Sequence, residues 1–267
     1  MKIGKATVPR SSICTSDAHT IGVRGKDLSK ELIGKVSFVE HFFLLLTGAL
    51  PSAGQAAVLN ATLVAIAEHG LVPSVQAARM TFAAAPDAMQ GAVAAGVLGC
   101  GSVVLGSSET AGRMYSEIDA KVASGSKLDS AALEVMHAWR AAGKSIPGYG
   151  HPLHKERDER VGALFAVARD AGTDLRFIAI AEAAEARLPE VLGKPLKLNV
   201  SGAIPAVLLG AGFPAAALKG VPILARTAGL IAHLYEEIRQ PIGFALSYQA
   251  TREMEYEGDV PEGFGSK

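Results

Sequence analysis

The sequence predicts an all-α protein. Alanine and leucine dominate its middle, apolar residues recur at helical spacing, and runs of alternating β-branched residues are nearly absent, so helix is favoured over strand almost throughout. At 267 residues the chain can bury one large core or two modest ones without disulfide staples. Its two cysteines suit a reduced compartment, and Cys100, in an apolar Gly/Ala segment, reads as a buried thiol rather than a nucleophile.

The predicted helices follow in order. Ser37–Thr47 and Gly54–Glu68 flank Leu50-Pro51, where a proline closes the first of them; Val75–Ala84 is closed in the same way by Ala85-Pro86. Asp87–Leu98 belongs to a stretch with glycines at 91, 96, 99, 101 and 106, which predicts a tightly packed helix pair. Ser107–Ala123 follows, then Ser130–Ala142, for which Asp129 or Ser130 is the candidate N-cap with Glu134 near the first turn. Arg157–Ala171, Leu175–Leu188, Ile204–Leu209 and Val221–Ile238 complete the set. The tail from Glu253 is acidic and expected on the surface.

Charge and hydropathy exclude several classes of partner. Twenty-six basic residues balance 26 acidic ones, so no net field draws the protein to nucleic acid or an anionic membrane, and any anion site must be local. Met1 to Asp17 lacks the apolar core of a signal peptide, and the longest apolar stretches, Gly91–Leu105 and Ala203–Leu218, are short for a bilayer span. A cytoplasmic location is expected.

Between Ala142 and Arg157 the helical pattern fails. The segment Gly-Lys-Ser-Ile-Pro-Gly-Tyr-Gly-His-Pro-Leu-His-Lys-Glu-Arg157 is a glycine- and proline-rich loop with two histidines and several cations. His151, followed by His154, Lys155, Arg157 and Arg160, combines a group that titrates near neutrality with fixed cations for carboxylate or phosphate. Loops of this kind between long helices are where sites sit. Other features are weaker alone. His69 in Ala67-Glu-His-Gly70 reads first as a structural cap, and Asn199 or Ser201 as the cap of the next helix. Arg226, inside an apolar helix pattern, requires a partner, either a ligand or a buried carboxylate. Gly210-Ala-Gly-Phe-Pro-Ala215 matches a GxGxxA nucleotide pattern, but Pro214 and the missing acidic residue downstream favour a plain helix-helix turn.

Taken in order, these segments resemble the citrate synthase superfamily, and its citryl-CoA lyase branch in particular, including the C-terminal module of ATP-citrate lyase. The carriers are Gly22-Val-Arg-Gly-Lys-Asp-Leu28, Phe38-Val-Glu-His-Phe-Phe-Leu-Leu-Leu-Thr-Gly-Ala-Leu-Pro51, Ala67-Glu-His-Gly70, Gly148-Tyr-Gly-His-Pro-Leu-His-Lys-Glu-Arg-Asp-Glu-Arg160, Leu198-Asn-Val-Ser-Gly-Ala-Ile204 and Ala225-Arg-Thr-Ala-Gly-Leu-Ile-Ala-His233. The resemblance implies a helical homodimer or higher oligomer. Its large domain would comprise residues 1–112 and 196–267, and residues 113–195 would form a smaller domain on the CoA side. It implies that His151 is catalytic at the acyl hydroxyl or carbonyl oxygen, that His69, Arg160 and Arg226 bind substrate carboxylates, and that Lys155 meets CoA phosphates. No metal and no covalently held cofactor is expected, since coenzyme A enters as part of a di- or tricarboxylate thioester.

The expected activity is cleavage of citryl-CoA or a similar 3-hydroxyacyl-CoA to acetyl-CoA and an oxo acid. The alternatives are citrate synthase-type condensation, or a catalytically impaired protein that binds CoA esters or dicarboxylates. The alternatives arise because the chain departs from the family pattern. The histidine that stabilises the thioester enol falls on Val104 or Leu105, and Ser201 stands where the family has an aspartate base. His19, Asp17, Glu109 and Tyr149 are the candidate substitutes.

Overall fold

The first elements among the described residues are strands, which the helical pattern did not predict. A computed structural model describes residues 9–101, 105–150 and 158–264. In it β1 (Cys14–Ser16), β2 (Ile21–Val23) and β3 (Lys26–Asp27) form an antiparallel meander in that order. Turn chemistry makes this ribbon. Asp17 Oδ1 accepts the N–H groups of His19 and Thr20, each at 2.8 Å, and closes the first turn. Arg24 and Gly25 both take positive φ, 50° and 81°, as a two-residue hairpin requires. The Arg24 guanidinium donates to Leu45 O from Nε (2.9 Å) and Nη2 (2.5 Å) and pins the ribbon to the first α-helix. Asp27 then caps a π-helical turn, Leu28–Leu32.

Everything else among the described residues is helical apart from a 3-10 turn, loops and one isolated bridge: α1 (Phe38–Thr47), α2 (Ala53–Ala67), α3 (Pro73–Ala84), α4 (Met89–Leu98), α5 (Gly106–Ala123), α6 (Leu128–Ala141), α7 (Glu159–Asp170), α8 (Arg176–Leu192), α9 (Val200–Gly210), α10 (Gly220–Arg239) and α11 (Gly243–Glu253). The all-α prediction holds. Local signals explain several ends. Ser37 and Glu40 form a capping box on α1, which stops at Gly48 with φ +83°. Asn199 caps α9, and Pro86 follows the end of α3.

Several boundaries differ from expectation, among them the start of α9 at Val200 rather than Ile204. Lys127, not Asp129 or Ser130, is the N-cap of α6, and it makes no side-chain cap bond. Asp129 instead lies in the first turn, where the helix dipole favours its charge, and it pairs with Arg187 at 2.6 Å. Helix α8 runs past Leu188 through Pro189 to Gly193, whose φ of +69° ends it. Helix α11 was unpredicted because its start depends on tertiary packing: a Cβ at Gly243 would lie 2.6 Å from both Arg79 O and Ala83 Cβ. The GxGxxA segment is the helix-helix turn it was read as, with Gly210 ending α9 and Gly212 at φ +74°.

The chain divides into two compact units. Met1–Ile66 with Leu105–Pro222 form the first, and Ala67–Val104 with Ile223–Lys267 the second. In the first, α5 packs on α6, α8 and α9, and α7 covers α9. Tyr115, Met114 and Ile118 of α5, Met136, Phe165, Ile180, Leu188 and Ile204 are fully buried there. In the second, α3 lies against α4 and α11, and Val75, Ala78, Phe82 and Ala92 pack with Leu230 and Leu234 of α10. Gly96 makes that packing possible, since a Cβ there would meet Leu230 and Ser74 O at 2.8 Å. The segment 215–239 is apolar and long enough to cross a bilayer by length and composition. Arg226 and Glu237 on it are buried, however, and its Leu230 and Leu234 belong to this protein's own core.

The second unit is held by a buried ion pair. Arg79 and Glu237, with side chains 3% and 2% exposed, meet at 2.6 Å. Arg79 also reaches Glu236 Oε2 at 2.6 Å and Gln240 O at 3.0 Å, and Glu237 Oε1 accepts the N–H groups of Ile242 (2.9 Å) and Gly243 (2.7 Å) at the start of α11. Burial opposes ionisation of Glu237, but Gly243 N–H, Arg79 and Ile242 N–H outweigh it and hold the carboxyl below its ordinary range. A depressed carboxyl stabilises the fold above its unfolded pKa and loses that contribution as pH falls through the folded value. Urea titrations should therefore show wild-type stability declining from about pH 5 downward, with a visibly flatter acid limb in Glu237→Gln. Arg79→Met should cost about 3–5 kcal/mol at neutral pH, because it leaves Glu237 buried and unpaired.

Candidate active site

The segment preceding His151 is buried and stitched to the start of α9. Ile146 to Tyr149 are shielded from solvent. Tyr149 bridges to Leu198, Gly150 N–H donates to Lys197 O at 2.7 Å, and Asn199 N–H donates to Gly148 O at 3.0 Å. Asn199 serves both sides of the seam. Its Oδ1 accepts from Ser201 N (2.9 Å) and Gly202 N (3.3 Å), and its Nδ2 donates to Gly150 O at 2.6 Å. Two glycines let the strands approach: a Cβ at Gly148, which has φ +88°, would sit 2.7 Å from Gly202 Cα, and one at Gly202 would sit 2.7 Å from Gly148 O. Beneath them Tyr149 Oη donates to Ala181 O at 2.9 Å and lies 3.1 Å from Tyr115 Oη. Burial pushes the Tyr115 phenol far up, against the weaker opposite pull of Tyr149. Tyr149 thus braces this seam against α5 and α8. His151 and Lys155 themselves lie outside the described residues, as does Val104.

Arg160, in the first turn of α7, is anchored by Asp158. Its Nε and Nη2 meet the two carboxylate oxygens at 3.0 and 2.8 Å, and its Nη1 is 3.4 Å from Ala65 O. Asp158 is the N-cap of α7 and accepts Val200 N–H at 3.3 Å, so one carboxylate ties α7 to α9. Burial raises the Asp158 pKa, but the Arg160 side chain, Arg160 N–H and Val200 N–H outweigh it and keep the group ionised below the usual range. The guanidinium is thereby fixed in direction while remaining about a quarter exposed, at 27%.

The other two carboxylate-binding candidates belong to the second unit. His69 is exposed in the turn between α2 and α3. Arg226 on α10 is buried at 4% exposure, and its Nε and Nη1 find no hydrogen-bond partner among the described residues. A buried guanidinium that lacks an anion is costly unless a ligand supplies one. Arg226, Gly229 and His233 fall on one face of α10. At Gly229 the helix touches the turn that carries His69, since an added Cβ would strike Ala67 O and approach Glu68 Oε2 to 3.1 Å. Cys100 is close enough to Arg226 to feel its charge, yet burial raises the thiol pKa more than Ser74 and Arg226 lower it, so it stays an inert thiol.

The substitutes suggested for the missing acid and base are placed as follows. Asp17 and His19 form the exposed β1–β2 turn. Glu109 sits in the first turn of α5, 3.6 Å from Arg113. Leu105, one of the two positions expected to replace the family's histidine, is buried at the N-cap of α5 with φ +69°, an uncommon conformation for leucine. Ser201 is half-buried in the first turn of α9. Sequence patterns missed Asp158, Glu68 and His233; the first two are ordinary capping types, and only their partners give them a role. No cluster of three His, Cys, Asp or Glu among the described residues is placed to hold a metal.

A sequence profile described as "Citrate synthase, C-terminal domain" matches residues 34–243. The chain belongs to the citrate synthase family. It is similar to citryl-CoA lyase from Hydrogenobacter thermophilus, with 32% identity and a TM-score of 0.83 over 97% of this chain and 98% of that one. It shares its fold with ATP citrate lyase from Methanothrix soehngenii, solved in complex with citrate and coenzyme A, at 24% identity and a TM-score of 0.77 over 99% of this chain but 44% of that one. Citrate synthase from Thermotoga maritima MSB8 is more distant, at 22% identity and a TM-score of 0.62 over 85% of this chain and 59% of that one. No curated protein matches the chain significantly.

Within this family member the seam at Asn199 gives a direct test of what holds the residues next to His151. Asn199→Asp keeps the cap acceptor and loses the donor to Gly150 O, whereas Asn199→Ala loses both. Chemical denaturation should find a loss of about 1–2 kcal/mol for the alanine variant and clearly less for the aspartate. Gly148→Ala should cost more than either, since it combines positive φ with a backbone clash.

Proposed function

We propose that this chain is a carbon-carbon lyase that cleaves citryl-CoA, or a close 3-hydroxyacyl-CoA analogue, to acetyl-CoA and an oxo acid. The observation that carries the proposal is the likeness to a citryl-CoA lyase at 32% identity over 97% of one chain and 98% of the other. The buried, unmatched Arg226 guanidinium supports it independently, because it asks for a carboxylate. In this reading Arg226, Arg160 and His69 hold substrate carboxylates and Lys155 meets the CoA phosphates. Residues 113–195 are the CoA-side domain and 1–112 with 196–267 the larger one, a division by ligand distinct from the two packing units. The working form is a homodimer in the cytoplasm.

The chemistry needs few groups in the cleavage direction. His151 takes the hydroxyl proton; the oxygen's electrons form the oxo-acid carbonyl, the bond between the α and β carbons breaks, and its pair moves into the thioester as an enolate. A solvent proton returns to the enolate carbon to give acetyl-CoA. Condensation must begin with the opposite and hardest step, removal of a weakly acidic methyl proton, and a serine without an assisting base is poorly suited to that. Ser201 in place of the aspartate therefore favours a lyase that works on a preformed thioester.

The same substitution, together with Leu105, motivates a second reading: a protein that binds CoA esters or dicarboxylates without turning them over. Mass spectrometry of citryl-CoA incubated with the protein separates the two. The lyase reading predicts equal amounts of acetyl-CoA and oxaloacetate, with His151→Ala slowed about 10²–10⁴-fold. Intact thioester after hours with folded wild type would reject it in favour of the binding protein.

A further inference from the structure

Glu68 and His233 form a relay that ends on the backbone of His69. Helix α2 stops at Ala67 and α3 begins at Pro73, and in the turn between them the Glu68 carboxylate folds back on its own chain. Oε1 accepts the N–H groups of both His69 (2.8 Å) and Gly70 (2.5 Å), and Gly70 adopts φ +70° to present its amide. The other oxygen, Oε2, lies 2.9 Å from His233 Nε2 on α10. That oxygen is close to α10 because Gly229 has no side chain to hold the turn away.

The proton on His233 is directed by its second neighbour. Nδ1 lies 3.5 Å from Arg79 Nη1, a group that can only donate; the tautomer with its hydrogen on Nε2 satisfies both neighbours, accepting from Arg79 and donating to Glu68. Glu236 Oε2 is farther from Nδ1, at 3.9 Å, and is itself engaged by Arg79 at 2.6 Å. Arg79 is in turn fixed by Glu237 and Gln240 O. A chain of polar contacts thus runs from the buried Arg79–Glu237 pair through His233 to Glu68. Its last link sets the direction of the main chain at His69. The two amides and the imidazole that Glu68 contacts all bear on the turn. Burial opposes its ionisation, but His233 and the two N–H groups outweigh that and keep it a carboxylate.

We propose that Glu68 and His233 are positioning residues that hold His69 in its substrate-binding orientation. The inference rests on the reading that His69 binds a substrate carboxylate. Two measurements test it: amide hydrogen exchange at His69 and Gly70 by NMR, and steady-state cleavage of citryl-CoA. Glu68→Ala should speed exchange at both amides roughly tenfold or more and raise KM about tenfold while moving kcat less. Glu68→Gln retains an acceptor oxygen and should restore most of both effects, and it also serves as the test should the alanine variant not fold. His233→Ala should act in the same direction, more weakly. In a His69→Ala background, Glu68→Ala should add nothing further to KM. Unchanged exchange in Glu68→Ala, or KM effects of Glu68→Ala and His69→Ala that multiply, would overturn the inference while leaving His69 a substrate ligand. A His69→Ala variant with wild-type KM would overturn both.

Discussion

Much of the structure around α10 turns on a positive charge, Arg226, that is buried without an anion among the described residues. Arg226 lies in α10 with two nitrogens unmatched among the described residues, although the same helix neutralises Arg79 completely through Glu236 and Glu237. Two arginines in one unit thus receive opposite treatment. One is paired, hydrogen-bonded and structural; the other is buried with two of its nitrogens unmatched among the described residues. A protein tolerates such a cost where function demands it, because removing an unpaired buried charge is among the easier ways to gain stability.

Within each unit, rigidity near the candidate binding residues comes from close backbone approach and from carboxylates used as ties. Gly229 lets the His69 turn lie on α10, and Gly148 with Gly202 lets the segment before His151 lie on the start of α9. Asp158 ties α7 to α9 while aiming Arg160, and Glu68 ties its turn to His233. In each case a candidate binding residue sits one or two positions from a buried or bridging group that orients it. This is the arrangement that holds ligand groups in place before the substrate arrives.

Much of this was legible in the sequence, for identifiable reasons. Helix periodicity carried the all-α fold, and Arg226 stood out because a cation in an apolar helix demands a partner. The collinear motifs identified the family that the profile match confirms. What escaped depends on pairs distant along the chain. Glu68 reads as a helix-end carboxylate until α10 brings His233 to it, and α11 reads as coil until Gly243 is seen against Arg79 O. The β1–β3 ribbon escaped because its strands are two or three residues long, too short for any alternation to register, and its turns rest on Asp17 and on a positive φ at Arg24. Asp129 misled because a good capping residue is also a good first-turn residue, and its ion pair with Arg187 decided the matter.

If Arg226 is kept for a carboxylate and not for the fold, Arg226→Met will show it in calorimetric titration with oxaloacetate and citrate alongside chemical denaturation without ligand. The variant should be as stable as wild type or more so, while dicarboxylate binding weakens about a hundredfold or more, as expected for a lost charge-assisted bidentate pair. A variant that is strongly destabilised yet binds both acids as tightly as wild type would contradict it.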